Sequence, residues 1–82
     1  MKVVHKYPLY PSVVLNLTLN HRILAIQVQQ NGPVIWVEEE VNQAKAPIKL
    51  AMICTGQPHN LTKYISTIQL GDLVFHVYEI CP

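Results

Sequence analysis

Four histidines, two cysteines and five carboxylates are the side chains with which this chain can attempt acid–base, nucleophilic or metal chemistry. His5, His21, His59 and His76 stand at none of the i, i+4 or CxxC spacings that local zinc sites use. A metal centre would have to be assembled in three dimensions from Cys54, Cys81 and a histidine. Cys54 with His59 is a nominal nucleophile–base pair, but a reactive thiolate needs an electropositive, partly exposed setting. Cys54 lies instead in an apolar run, where a thiol acts as a small hydrophobe. Glu38-Glu39-Glu40 reads as a solvated loop or edge. Asp72 and Glu79, in turn and strand, offer no shaped pocket for proton transfer. The expectation is a protein without catalytic residues, metal or cofactor.

The stretch richest in binding chemistry is Thr55-Gly56-Gln57-Pro58-His59-Asn60. Gly56 tolerates positive φ, so successive backbone N–H groups can converge into an anion-binding nest. Thr55, Asn60 and Thr62 add hydroxyl and amide groups, and His59 and Lys63 add positive charge. Tyr64, Trp36 or Tyr10 can stack on a base, and Arg22 is a further cation for a phosphate. The candidate ligand-binding set is therefore Thr55, Gly56, His59, Lys63, Tyr64, Trp36 and Arg22. Read structurally, the same loop is a β–β connection, dense in turn formers because turns require them.

These residues must be positioned by strands. Val3 to Tyr7 is a short first strand, broken by Pro8 and Pro11, neither of which can donate to a ladder. Tyr7 and Tyr10, each followed directly by a proline, suit a surface or an interface. Val13 to Leu19 alternates, with Val13, Leu15, Leu17 and Leu19 on one face and Val14, Asn16 and Thr18 on the other. Ile23 to Gln29 continues with Leu24, Ile26 and Val28 inward. Asn31-Gly32 suits a type I′ turn. Val34 to Glu38 is apolar on both faces, as in a central strand or one covered by a partner. Glu38 to Gln43 loses the alternation, and a helical turn is expected around Glu39 to Lys45, stopped by Pro47. Ile48 to Thr55 is a strand. Tyr64 to Glu79 is a hairpin closed at Gly71-Asp72. The whole predicts one all-β domain over residues 1–82. It is a small antiparallel sandwich or partly open barrel of six or seven short strands, with at most one helical turn.

Half of the residues are apolar and only 13 % are charged, against about 25 % in typical domains. So small a chain buries only roughly 60 % of the surface it exposes when unfolded. The surplus apolar surface points to subunits that share it, so a homo-oligomer is expected. Two cysteines are too few for a disulfide scaffold. The start of the chain lacks the continuous apolar core of a signal peptide, and no apolar run reaches the roughly 20 residues of a membrane span. A cytoplasmic protein follows, with the glycosylation sequons at Asn16 and Asn60 read as chance. Net charge is +1, and five lysines and Arg22 are dispersed. Long nucleic acid, which needs a basic stripe, is not an expected partner. A small anionic ligand remains open.

Lys6-Tyr7-Pro8-Leu9, IQVQQNGPVIWV at 26–37, TGQP at 55–58 and YISTIQLGDLVFHVYE at 64–79 occur in that order. Together they resemble a family of small bacteriophage proteins with the pattern KYPL, VQVQNG, LW, GTGHP, YIGT and LVFHVFE. Gln57 stands where the pattern has the histidine of GTGHP, with His59 two residues later. Ser66 replaces the glycine of YIGT, and Glu38-Glu39 replaces an Ala or Leu. What the resemblance implies is a phage anti-defence role in the host cytoplasm, similar to that of homo-oligomeric sponges. Those sequester cyclic nucleotide signals of host immunity, of the kind used by CBASS systems, without cleaving them. A second implication is an inhibitor that docks on a host defence protein, as anti-CRISPR proteins do, through the KYPLYP segment. A third is a minor assembly factor.

Overall fold

A computed structural model describes residues 1–81 and arranges them as antiparallel strands. The strands are β1 (Lys2–Pro8), β2 (Ser12–Thr18), β3 (His21–Gln29), β4 (Gly32–Glu40), β5 (Lys45–Cys54), β6 (Lys63–Leu70) and β7 (Leu73–Ile80). One sheet has the order β1-β4-β3 and the other β2-β5-β7-β6. They stack as a flat open sandwich of 40 × 31 × 15 Å. The all-β sandwich expected from the alternation is what forms, and among the described residues there is no helix.

The period of two decides the interior. Leu15 and Leu17 of β2, Ile35 and Val37 of β4, and Leu50 of β5 and Val77 of β7 meet between the layers, all nearly inaccessible. Removal of each such side chain from water contributes roughly 1.5–3 kcal/mol. β4, the central strand of its sheet, buries Ile35, Val37 and Glu39 on its inner face and leaves Val34, Trp36 and Glu38 half-buried on the outer one.

Several expectations are corrected. β1 runs through Pro8, which occupies the end of an edge strand, where a missing N–H is tolerated. Of the KYPLYP segment, Leu9 enters the core and Tyr7 is half-buried, leaving Tyr10 as its exposed aromatic side chain. At the end of β2 the alternation fails: Thr18 is buried and Leu19 is exposed. In β3 a bulge between Ile23 and Ala25 resets the faces. Ile23 therefore packs on the core while Leu24 is turned out; Ile26 is inward as expected, and Val28 is exposed beside the hairpin turn.

Both hairpin turns place positive φ on a glycine alone. Gly32 (φ 115°) follows Gln30-Asn31, and Asn31 itself is not in the left-handed region, so the turn is not type I′. Gly71 (φ 60°) leads its two-residue turn, the position a type II′ turn requires of glycine. No helical turn forms between Glu39 and Lys45. β4 continues to Glu40, and Asn42 (φ 64°) turns the chain toward β5.

Candidate functional site

The C-terminal hairpin sends Phe75 and Val77 inward, so His76 and Tyr78 project from the outer face of the four-stranded sheet. A bulge between Tyr64 and Ser66 sets β6 so that Tyr64 pairs with Tyr78 and Thr67 with His76. The loop after β5 folds back across this face. His59 lies against Tyr78 with ring centroids 4.7 Å apart, and Tyr64 meets the same ring edge-on at 5.6 Å. Ile53 belongs to the outer face by alternation with Met52, yet it is only 8 % exposed, consistent with the loop covering it.

A chain of hydrogen bonds runs beside the rings. Tyr64 Oη lies 2.6 Å from Thr67 Oγ1, and Thr67 Oγ1 lies 3.0 Å from His76 Nδ1. On the other side, His76 Nε2 is 2.8 Å from Thr55 Oγ1, whose hydroxyl donates to the Val74 carbonyl at 3.2 Å. That last donation assigns the directions. Thr55 Oγ1 must accept from His76 Nε2–H, so Nδ1 is the acceptor and takes the Thr67 hydroxyl proton, while Tyr64 donates to Thr67. One neutral tautomer of His76 satisfies the whole chain. Thr55, Tyr64, Thr67 and His76, from separate segments of the sequence, thus become one unit.

Seven candidate residues divide between the two sheets. Thr55, Gly56, His59 and Tyr64 gather around this outer face, whereas Lys63 pairs with Glu79, which lies opposite core Leu50 and so on the other face of the sheet. Trp36 and Arg22 do not join them. Trp36 lies on the other sheet, where its indole N–H donates to Gln27 Oε1 (3.0 Å) and the Lys6 ammonium sits 5.5 Å from the ring centroid. Arg22 is paired in register with Glu38 and lines a shallow cleft with Lys2 and Glu40. Spacing along the sequence could not show that β3 and β4 belong to one layer and β5, β6 and β7 to the other.

Gly56 does adopt positive φ (91°). The anion nest nevertheless fails to form, because the neighbouring N–H groups are already committed. Thr55 N–H donates to Val74 C=O, Gln57 N–H to Cys54 C=O, and Leu61 N–H to His59 Nδ1. Gln57 also accepts from the Cys54 N–H through its side chain (3.2 Å), so it braces the turn from within. Lys63 is held by Glu79 at 3.1 Å.

A second polar cluster escaped the sequence reading. Glu39, expected in a solvated run, is 1 % exposed. His5 Nδ1–H donates to its Oε2 at 2.7 Å, the Tyr7 hydroxyl donates to the same oxygen, and the Thr18 N–H of the opposite sheet reaches Oε1 at 3.0 Å. Burial alone would push its pKa up. The bonds from Tyr7, His5 and Thr18 and the charge of Lys45 outweigh burial and hold the carboxyl at about 2. Burial, then the bond and charge of Glu39, push Tyr7 up to about 12. A carboxylate so stabilised is a poor proton acceptor at neutral pH, and its evident work is to tie β1, β2 and β4 together. The signal that finds it is the unbroken period Ile35, Val37, Glu39. Beside it opens a cleft of about 290 Å³ lined in part by His5, Thr18 and Lys45.

Cys54 and Cys81 are both free thiols, and among the described residues no three His, Cys, Asp or Glu side chains are grouped to hold a metal. No helix of the described chain is long and apolar enough to cross a membrane. A family model described as a domain of unknown function, DUF7352, matches residues 1–81. The chain belongs to the DUF7352 family. No curated protein and no solved structure matches it. The match takes in every strand of the sandwich, so the outer-face cluster and the buried Glu39 both lie within the DUF7352 domain.

Proposed function

We propose that this protein is a non-catalytic binder of a small nucleotide-type anion, taken up on the outer face of the β5-β7-β6 sheet. The observation that carries the reading is the continuous surface of His59, Tyr78 and Tyr64 rings beside the Tyr64–Thr67–His76–Thr55 chain. Tyr64 is 54 % exposed and open to a base, and base–aromatic stacking is worth roughly 1–3 kcal/mol per base. Hydroxyl and imidazole groups line the neighbouring positions. With the nest closed by internal bonds, side chains rather than backbone amides hold the ligand. The resemblance to small bacteriophage proteins supports reading this binding as anti-defence. The protein sequesters a cyclic nucleotide immune signal in the host cytoplasm as a homo-oligomeric sponge.

Calorimetry with a panel of cyclic di- and trinucleotides tests the reading. Heat of binding that Tyr64→Ala weakens supports it. Absence of heat from every member at micromolar protein overturns it.

A further inference from the structure

The end strands of an open sandwich carry backbone N–H and C=O groups without partners in the chain. Such edges recruit further strands unless charge, proline or a bulge spoils them. β1, β3, β2 and β6 are the four end strands. β1 carries Lys2 and Lys6 and ends on Pro8. β3 carries Arg22 and the bulge at Leu24. β6 opens on Lys63 and bulges at Ile65. β2, Ser12–Thr18, has no charge, no proline and an unbroken register against β5. One edge of the four has none of these protections.

The groups that this edge offers follow from its pairing. Leu19 N–H donates to Ala44 C=O, and Met52 N–H donates to Pro11 C=O. These bonds fix the odd-numbered residues as the ones joined to β5. Ser12, Val14, Asn16 and Thr18 therefore turn their backbone groups to the free edge. Pro47 agrees with this phase, since it pairs with Asn16, where β2 asks nothing of its nitrogen. The Thr18 N–H is already bound to Glu39. What remains is a symmetric set of three: Ser12, Val14 and Asn16.

We propose that β2 is a self-association edge, on which a second copy of this chain pairs antiparallel about a two-fold axis at Val14. Val14 then faces its own copy, and Ser12 faces Asn16 of the second chain, so every offered N–H and C=O finds a partner. The two four-stranded sheets become one continuous sheet. A second copy is the occupant because the set is complementary to itself and brings no like charges together within the paired strands. Its exposed apolar side chains also cluster here: Val14 is 55 % exposed, and Tyr10 (56 %) and Leu19 (65 %) bracket the strand. Such pairing is independent of the ligand reading. β2 lies across β5 from β7 and β6, so each outer-face site stays whole within one protomer.

Sedimentation velocity of the full chain at micromolar concentrations tests this. A species of twice the 9.3 kDa chain mass is expected. Val14→Lys should shift it to the monomer by setting two ammonium groups face to face, with Trp36 fluorescence and far-UV circular dichroism unchanged. Leu24→Lys, on the β3 edge, should leave the dimer in place. A wild-type monomer at every concentration overturns the proposal, as does a folded Val14→Lys protein that associates as the wild type does. If Val14→Lys fails to fold, N-methylation of Val14 by chemical synthesis removes the edge N–H and leaves the side chain as it is. A dimer that survives that change overturns the proposal, and loss of the dimer supports it.

Discussion

His76 Nε2 sits 2.8 Å from Thr55 Oγ1, and that contact joins the last strand of the hairpin to the start of the loop that precedes it. The imidazole is bonded through both nitrogens, to Thr55 on β5's exit and to Thr67 on β6. The sheet face and the loop are thereby fixed as one surface, with Tyr64 at its far end.

Thr55→Val keeps the shape of the side chain and removes two hydrogen bonds. A loss of about 1 kcal/mol in unfolding free energy is expected, measured by urea denaturation. Amide exchange should quicken in residues 55 to 61 more than in the strands, because the loop loses its anchor while the core is untouched. Equal acceleration throughout would show that the contact does not hold the loop.

Glu39 is the larger stake. Glu39→Gln keeps the volume but turns an acceptor of three donors into a group that presents an NH₂ to some of them. Breaking a buried charged network of this kind costs about 3 kcal/mol. Chemical denaturation at neutral pH should show that loss, and a midpoint equal to the wild type would refute the role given to the carboxylate.

The same group sets a pH dependence. Its folded pKa is lowered from 4.5 to about 2, so the folded state favours the ionised form. The stability this contributes is present above pH 4.5 and is lost as pH falls toward 2, where the unfolded chain takes up the proton first. Denaturation midpoints of the wild type should fall through that window. The Glu39→Gln curve should be flatter there, and identical slopes would contradict the assignment.

Period-two alternation made much of the sandwich legible, because Leu15, Leu17, Ile35, Val37 and Leu50 follow it without interruption. It failed where the backbone departed from it. The extra residue at Leu24 turns that side chain out and puts Ile23 on the core face, while Ile26 keeps its inward place, and nothing in the composition of HRILAIQVQ marks where a bulge falls. It also failed where residue type was trusted over phase. Its acidic side chain points Glu39 to solvent, although Ile35 and Val37 set it inward. At the candidate site, the loop and Tyr64 were legible as a cluster of turn formers and aromatics. The part of His76 was not, since a histidine in a strand shows its partners only when the neighbouring strands are known.

The bulge can be tested by a pair of substitutions. Leu24→Lys should change stability by no more than about 0.5 kcal/mol, since its side chain is turned out of the core. Ile26→Ala should cost about 2–5 kcal/mol through the cavity it leaves. Thermal or urea unfolding of both reads the contrast. Comparable losses would mean that β3 keeps the simple alternation after all.

Variants on opposite faces of the sandwich test where the proposed ligand sits. Trp36 and Arg22 belong to the three-stranded sheet, and His59 and Tyr64 to the outer face of the other. Loss of a stacking ring should weaken nucleotide binding about 10-fold or more in Tyr64→Ala, at roughly 1–3 kcal/mol per stacked base. His59→Ala should weaken it as well, by freeing Tyr78 from its cover. Trp36→Ala and Arg22→Ala should bind as the wild type does. Titration calorimetry of the four variants against the tightest cyclic nucleotide distinguishes the faces. If Trp36→Ala and Arg22→Ala lose affinity while Tyr64→Ala retains it, the ligand lies on the β1-β4-β3 sheet, and the outer-face chain of His76 is a structural clasp for the loop alone.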